Sequence, residues 1–145
     1  MRKPLAVSEL GDLLELPLLA VLATRRADGG LLLSPVWHRW REGGFDVVSR
    51  LDDVKVRHLR RDARANIVVC EHIRPYRGLE LRCEARLVTD GVSEAVGPIA
   101  MRYMGPEAGL RYAETEPDDI LIRLEPGAVR GWDFADDWPA EDESA

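Results

Sequence analysis

Nowhere in its 145 residues does the sequence carry a Gly-x-Gly-x-x-Gly turn, a Walker phosphate loop or a Ser or Cys nucleophile signature. Dinucleotide binding on a doubly wound sheet, nucleotide hydrolysis and acyl transfer are therefore poor starting points. Histidine is scarce: His38, His58 and His72 are well separated, and with Cys70 and Cys83 they form no group at metal-ligand spacing. No apolar run approaches the ~20 residues that a membrane-spanning helix needs. The opening Met1-Arg2-Lys3-Pro4-Leu5 runs directly into an amphipathic stretch, without the apolar core and cleavage site of a secretory signal. A cytoplasmic protein is expected. Basic excess is also lacking, and a net charge of −6 argues against broad nucleic-acid binding, whose affinity rests on neutralising phosphates.

What is present has the balance of an ordinary globular protein, 46% hydrophobic and 32% charged residues. The length suits one domain, here residues 1–134. An acidic tail, 135–145, follows, because Asp136, Asp137, Glu141, Asp142 and Glu143 have no basic neighbour. Ser8 is placed to cap a short helix through Leu10, Leu13 and Leu14 that ends at Pro17. Leu18 to Thr24 reads as a buried strand, an Asp28-Gly29 turn follows, and Leu31 to Trp40 reads as its antiparallel partner. Pro35 inside that partner requires an edge or a bulge. Phe45 to Ser49 forms a third strand. A helix capped by Asp52 or Asp53 runs to about Arg61, with Val54, Val56 and Leu59 available for the core. Arg64 to His72 is a continuous apolar strand, and Leu79 to Leu87 alternates apolar with charged residues, one face buried and one wet. Helices are expected over Val92 to Met104 and Pro106 to Ala113. The chain then closes with a strand over Ile120 to Leu124, a turn at Pro126-Gly127 and an extended piece to Phe134.

Short turns between these strands imply antiparallel pairing, since parallel connections need long crossovers. The fold expected is mainly β: a six-stranded antiparallel barrel with peripheral helices. Cys70 and Cys83 lie equidistant from Tyr76-Arg77 and so would face each other across a symmetric hairpin, as two buried thiols kept reduced in the cytosol. Each histidine is expected to be partly exposed.

One segment departs from the acidic average. Between Arg50 and Arg64, six basic residues (Arg50, Lys55, Arg57, Arg60, Arg61, Arg64) meet three acids (Asp52, Asp53, Asp62). A strand-to-helix junction at Ser49 to Arg57 offers helix N–H groups, the positive end of a helix dipole and nearby cations, which together suit a phosphate. Lys55 and Arg57, two apart, do not share a helix face and could reach one anion together only by folding back over the first turn. A solvated basic face is the plain alternative.

Five segments in order, Ser34-Pro35-Val36-Trp37, Val48-Ser49, Lys55-x-Arg57-x-Leu59-Arg60-Arg61-Asp62-x-Arg64, Pro75-Tyr76-Arg77 and Val129-Arg130-Gly131-Trp132, resemble the pyridoxamine 5′-phosphate oxidase-like split β-barrels, over nearly the whole chain from Leu18 to Phe134. The likeness is greatest to the branch that uses the deazaflavin coenzyme F420; sister branches use FMN. The resemblance implies a split barrel of Greek-key type and a homodimer with the cofactor between subunits. It implies that Ser34, Pro35, Val36 and Trp37 line the ring system, that Val48, Ser49 and Arg50 border the ribityl chain, and that Lys55 and Arg57 take the phosphate. Arg77 and Trp132 would approach from the partner subunit. The activity implied is F420-dependent reduction of an unsaturated small molecule; the alternatives are an FMN-dependent oxidoreductase or a non-catalytic flavin, F420 or haem carrier. No residue is singled out as catalytic, and no metal is expected. Two positions depart from the family pattern: His58, often Asn in relatives, and Cys83-Glu84-Ala85, often a Gly-Thr-Ala-like run.

Overall fold

The computed structural model describes residues 4–115 and 119–135. The expected acidic tail, apart from Ala135, and Trp138 lie outside the described residues. Strands β1 (Ala20–Arg25), β2 (Leu31–Val36), β3 (Arg39–Arg41) and β4 (Gly44–Arg50) precede helix α1 (Val54–Arg61). Strands β5 (Arg64–Cys70) and β6 (Gly78–Val88), helices α2 (Val92–Met104) and α3 (Pro106–Glu114), and strand β7 (Asp119–Trp132) complete the order. All pairings are antiparallel, in one curled seven-stranded sheet ordered β2-β1-β5-β6-β7-β4-β3. This is the mainly-β split barrel expected, with seven strands where six were expected and two corrections to the strand bounds.

The first correction concerns Leu31 to Trp40, which is two strands instead of one. Trp37 and His38 leave the ladder because Tyr103 claims them: its ring stacks on Trp37 at 5.0 Å and 4°, and its hydroxyl accepts the His38 N–H at 3.1 Å. The chain then turns sharply through Glu42 and Gly43, both at positive φ, into β4. The second concerns β7, which runs unbroken through the expected turn at Pro126-Gly127. The register of β6 against β7 shifts between Leu81 and Cys83, opposite Pro126, where a proline without an N–H is tolerated. Pro35 sits, as expected, in an edge strand, β2.

The expected first helix is instead two 3-10 turns, Val7–Glu9 and Leu13–Glu15. Gly11, at φ +61°, interrupts them. Ser8 lies inside the first turn and caps nothing. The cysteine pairing also fails. Cys70 stands opposite Gly78 and Cys83 opposite Ala65, so the two thiols are apart and free. The hairpin turns about Arg74, two to three residues earlier than a symmetric reading assumes. Only Cys83 is buried, and burial pushes its thiol up to about 12.

Inward residues of the sheet make the core: Leu22 from β1, Phe45 and Val47 from β4, Ile67 from β5, Leu79 and Leu81 from β6, and Ile120, Ile122 and Leu124 from β7, each at most 1% exposed. Burying one such side chain is worth roughly 1.5–3 kcal/mol. Two 3-10 turns seal one end with Leu10, Leu13 and Leu14. Helix α1 docks through Val56 and Leu59, and its His58 Nδ1 shares a 3.0 Å hydrogen bond with Thr24 of β1. The α2–α3 hairpin lies against β4 and β7 and is stitched to the opening segment: the Arg102 guanidinium donates to the carbonyls of Leu14, Leu16 and His38. Gly109 lets α3 approach α2 closely, since a Cβ there would meet the Met101 nitrogen at 2.5 Å.

Two histidines are more deeply placed than the sequence suggested. His38 is fully buried, its Nε2 donating to the Leu18 carbonyl at 3.0 Å. Its Nδ1 is the single buried side-chain N or O atom without a hydrogen bond among the described residues. Burial, helped by Arg102, pushes its pKa down to about 4. His58 is buried as well, and burial lowers its pKa too. Only His72 is exposed.

Candidate functional site

The junction at β4–α1 opens on a cavity of roughly 190 Å³. Its floor is β4, through Val48, Ser49 and Arg50; its wall is the start of α1, through Asp53 and Lys55; Trp37 lies across from them. The roof comes from the helical hairpin, through Val96, Ile99, Ala100 and Tyr112, and Asp119 of β7 completes the rim.

Helical geometry decides which cation faces the cavity. Val56, His58 and Leu59 mark the buried arc of α1, and Lys55 falls within that arc, whereas Arg57, about 200° further round, points the other way. The result is a Lys55 side chain only 13% exposed, while Arg57 is exposed and does not line the cavity. Lys55 Nζ donates to Asp53 Oδ2 at 2.7 Å, and the Ser49 hydroxyl donates to the same oxygen at 3.3 Å. The Lys55 hydrogen bond, assisted by Ser49, holds the Asp53 carboxyl below the usual carboxylate range. Asp53 is the N-cap residue of α1, yet its side chain makes no cap hydrogen bond. Arg50, with a side chain 64% exposed, pairs with Asp52 at 3.8 Å.

Of the residues that the sequence put forward, Trp37, Val48, Ser49, Arg50 and Lys55 therefore meet at one cavity. Ser34, Pro35 and Val36 lie earlier on β2; Pro35 is exposed and Val36 is 7% exposed in the core. Arg77 and Trp132 lie at the other end of the sheet, where Gly78 pairs with Trp132. Asp119, at the rim, and Trp132 are the two ends of β7, and neither Arg77 nor Trp132 lines the cavity. Arg77 is already engaged: it donates to Glu71 Oε1 at 3.0 Å and to the Leu10 carbonyl at 2.8 Å, and pairs with Asp12 at 2.8 Å. Trp132 lies flat on Gly78, where a Cβ would stand 2.1 Å from its ring, and Arg130 covers it at 4.7 Å.

The sequence reading missed the roof. Tyr112 meets Trp37 at 5.7 Å with the rings tilted 54°, so Trp37 is held by two tyrosines. Neither tyrosine carried a signal beyond helical spacing, because the return of the hairpin over β4 is a tertiary event. Asp53 was visible as a cap but not as the partner of Lys55. Chemically, the cavity offers one enclosed ammonium and a nearby guanidinium for an anion, and an aromatic and aliphatic wall for a flat ring. No group of three or more His, Cys, Asp or Glu among the described residues could hold a metal ion. No helix among them is long and apolar enough to cross a membrane.

A family model described as pyridoxamine 5′-phosphate oxidase matches residues 7–133. No curated protein matches the sequence. Among solved structures, the chain is similar to a conserved hypothetical protein, Rv2991, from Mycobacterium tuberculosis, with TM-score 0.78 and 20% identity over 97% of this chain and 95% of that one. It is similar to an F420 reductase, with TM-score 0.68 and 27% identity over 81% of this chain and 93% of the other. A FAD-binding protein from Mesorhizobium loti shares the fold, with TM-score 0.64 and 16% identity over 89% and 95% of the two chains.

Proposed function

The chain belongs to the pyridoxamine 5′-phosphate oxidase family, and we propose that it is an F420-dependent oxidoreductase whose cofactor phosphate is held by Lys55 at the β4–α1 junction. The observation that carries this reading is the inward Lys55, enclosed at the mouth of α1 with Trp37 across the cavity. A largely desolvated ammonium beside a helix N-terminus is a strong partner for a phosphate ester. Arg50 at the rim adds attraction for a longer anionic tail. Likeness to an F420 reductase at 27% identity favours the deazaflavin over FMN.

When bound, the deazaflavin supplies the hydride chemistry. The protein's part is to grip the phosphate through Lys55, to hold the ring against Trp37, and to keep water away with Val48, Ile99 and Ala100. The residues fit that task only in part within one chain. A cavity of roughly 190 Å³ is smaller than the ~300–1,000 Å³ usual for a whole cofactor or drug-sized ligand. A phosphate and its chain fit, and the ring needs a further wall.

A second copy is the source we propose for that wall. The outer face of β1 and β2 shows Leu19, Val21, Leu31 and Leu33 at 36–62% exposure, set side by side by the pairings of Val21 with Pro35 and Ala23 with Leu33. A contiguous apolar patch of this kind marks an interaction surface. Homodimerisation would let Trp132 or Arg77 of one copy approach the cavity of the other. A cytoplasmic setting accords with two unpaired thiols. A haem carrier is disfavoured, since none of the three histidines lines the cavity.

Titration of F420 and of FMN, followed by intrinsic tryptophan fluorescence, to which Trp37 contributes, tests the reading. F420 should bind more tightly than FMN and should support turnover of an unsaturated acceptor once reduced. Lys55→Ala should weaken binding by about 1.5–3 kcal/mol, the worth of a charged hydrogen bond, with Arg57→Ala costing less. Tighter binding of FMN would transfer the activity to the flavin. Binding of neither, or binding indifferent to Lys55→Ala, would overturn the assignment.

A further inference from the structure

Resting on the reading of Lys55 as the phosphate holder, we propose that Asp53 is an exchangeable latch that competes with the phosphate for Lys55 and Ser49 and, when the phosphate wins, turns to cap α1. Lys55 and Ser49 both donate to one and the same oxygen of Asp53, at 2.7 and 3.3 Å. The carboxylate therefore occupies the position where an anion bound by these two donors would put an oxygen. Like charges cannot share that position, so an incoming phosphate must displace Asp53 or be excluded by it.

Asp53 has somewhere else to go. Its backbone, at φ −66° and ψ 148°, has the extended conformation from which an N-cap carboxylate reaches the N–H groups of the second and third helical residues. No such bond is made, although the Val54 N–H already helps to hold the Asp53 charge. A turn about the side chain's own bonds would move the carboxylate from Lys55 to the helix end. There it regains hydrogen bonds and a favourable dipole, which offsets the loss of the ion pair. The exchange thus costs little for a ligand that outbids one carboxylate.

This makes Asp53 a specificity-determining residue. A phosphate ester, charged and with at least two strongly accepting free oxygens, can take both Lys55 and Ser49. Chloride, a diffuse and weakly accepting single atom, is held off by the latch. The class of ligand admitted is therefore the phosphate ester, whether monoester or diester.

The test is calorimetric titration of the full-length protein with inorganic phosphate at neutral pH, with and without chloride, for the wild type, Asp53→Asn, Asp53→Ser and Lys55→Ala. Asp53→Asn should bind phosphate about tenfold more tightly than the wild type, the equivalent of one modest charged interaction removed from the competition. It should also become sensitive to chloride where the wild type is not. Asp53→Ser keeps a capping oxygen without the charge, so it should match Asp53→Asn and covers the case in which the asparagine variant folds poorly. A merely structural Asp53 would give weaker binding in both variants, or no change, and either result overturns the latch. If Lys55→Ala weakens phosphate binding while neither Asp53 variant strengthens it, the latch fails alone. If Lys55→Ala leaves binding unchanged, or no variant binds phosphate, the reading of Lys55 fails and the latch with it.

Discussion

Two ion clusters draw on β4, one through Asp46 and the other through Ser49 three residues on, and behave as opposites. At Asp46 a fully buried carboxylate takes hydrogen bonds from Arg39 at 2.9 Å, Arg41 at 2.8 Å and Arg123 at 3.2 Å. Arg123 also donates to the carbonyls of Arg41 and Glu42, and Gly44 leaves room for it, since a Cβ there would stand 2.8 Å from its guanidinium. At Asp53 one partly exposed carboxylate engages one lysine and one serine beside a cavity. The Asp46 cluster fastens the β3–β4 turn to β7; the Asp53 cluster ties its lysine by one exchangeable hydrogen bond at the edge of a cavity. Basic residues around a carboxylate thus mark structure in one place and a candidate site in the other, and the difference is how completely the cations are satisfied.

The largest expected effect breaks the first cluster. Burial works against the Asp46 charge, but the hydrogen bonds of Arg41, Arg39 and Arg123 more than offset it and its pKa is lowered. Asp46→Ala would strand a guanidinium whose side chain is 6% exposed, at a cost of about 3–5 kcal/mol. Urea unfolding should show that loss, and a variant as stable as the wild type would mean that Asp46 is not the fastening point.

His38 joins the two clusters, lying between Trp37 at the cavity and Arg39 at Asp46, and supplies the next effect. Its pKa falls from 6.5 to about 4 on folding, so protonation favours the unfolded chain. Its contribution is whole above pH 6.5 and is lost as pH falls toward 4, by up to about 3 kcal/mol. His58, shifted in the same direction, adds to the slope. The carboxylates act in a lower window: the contribution of Asp46 is present above the unfolded carboxyl value of about 4 and is lost below it. Unfolding free energies at pH 7 and pH 5 should differ, and His38→Gln should flatten most of that difference. Equal slopes in the two proteins would place the proton elsewhere.

These features differ in how far they could be seen beforehand. The alternation of β6 and the apolar spacing of α1 follow from side-chain periods of two and 3.6, and both elements stand where those periods put them, although Val54, expected in the core, is exposed at the start of α1 and its place is taken by His58. The opposite directions of Lys55 and Arg57 also follow from the helix alone. Arg39 opposite Asp46 is a short-range hairpin pairing, but Arg123 reaches Asp46 only through the register of β7 on β4, across 77 residues of chain. No local pattern encodes that register. The same holds for the roof of the cavity, where Tyr112 and Ile99 arrive from the helical hairpin, and for His38, whose burial depends on Tyr103. What sequence periodicity cannot carry is which surfaces meet.

The smallest effect is the one that sharpens the contrast most. If the Asp53 cluster serves binding and not folding, removing its lysine should scarcely change stability. The pair is partly exposed, 13% on Lys55 and 36% on Asp53, and pairs of that kind contribute below about 1 kcal/mol. α1 keeps its anchors in Val56, Leu59 and the bond of His58 to Thr24. Lys55→Ala should therefore unfold in urea within about 1 kcal/mol of the wild type, while Asp46→Ala, on the same strand system, does not. A large loss in Lys55→Ala would make the junction a structural fastening like the other, and the difference between the two clusters would vanish.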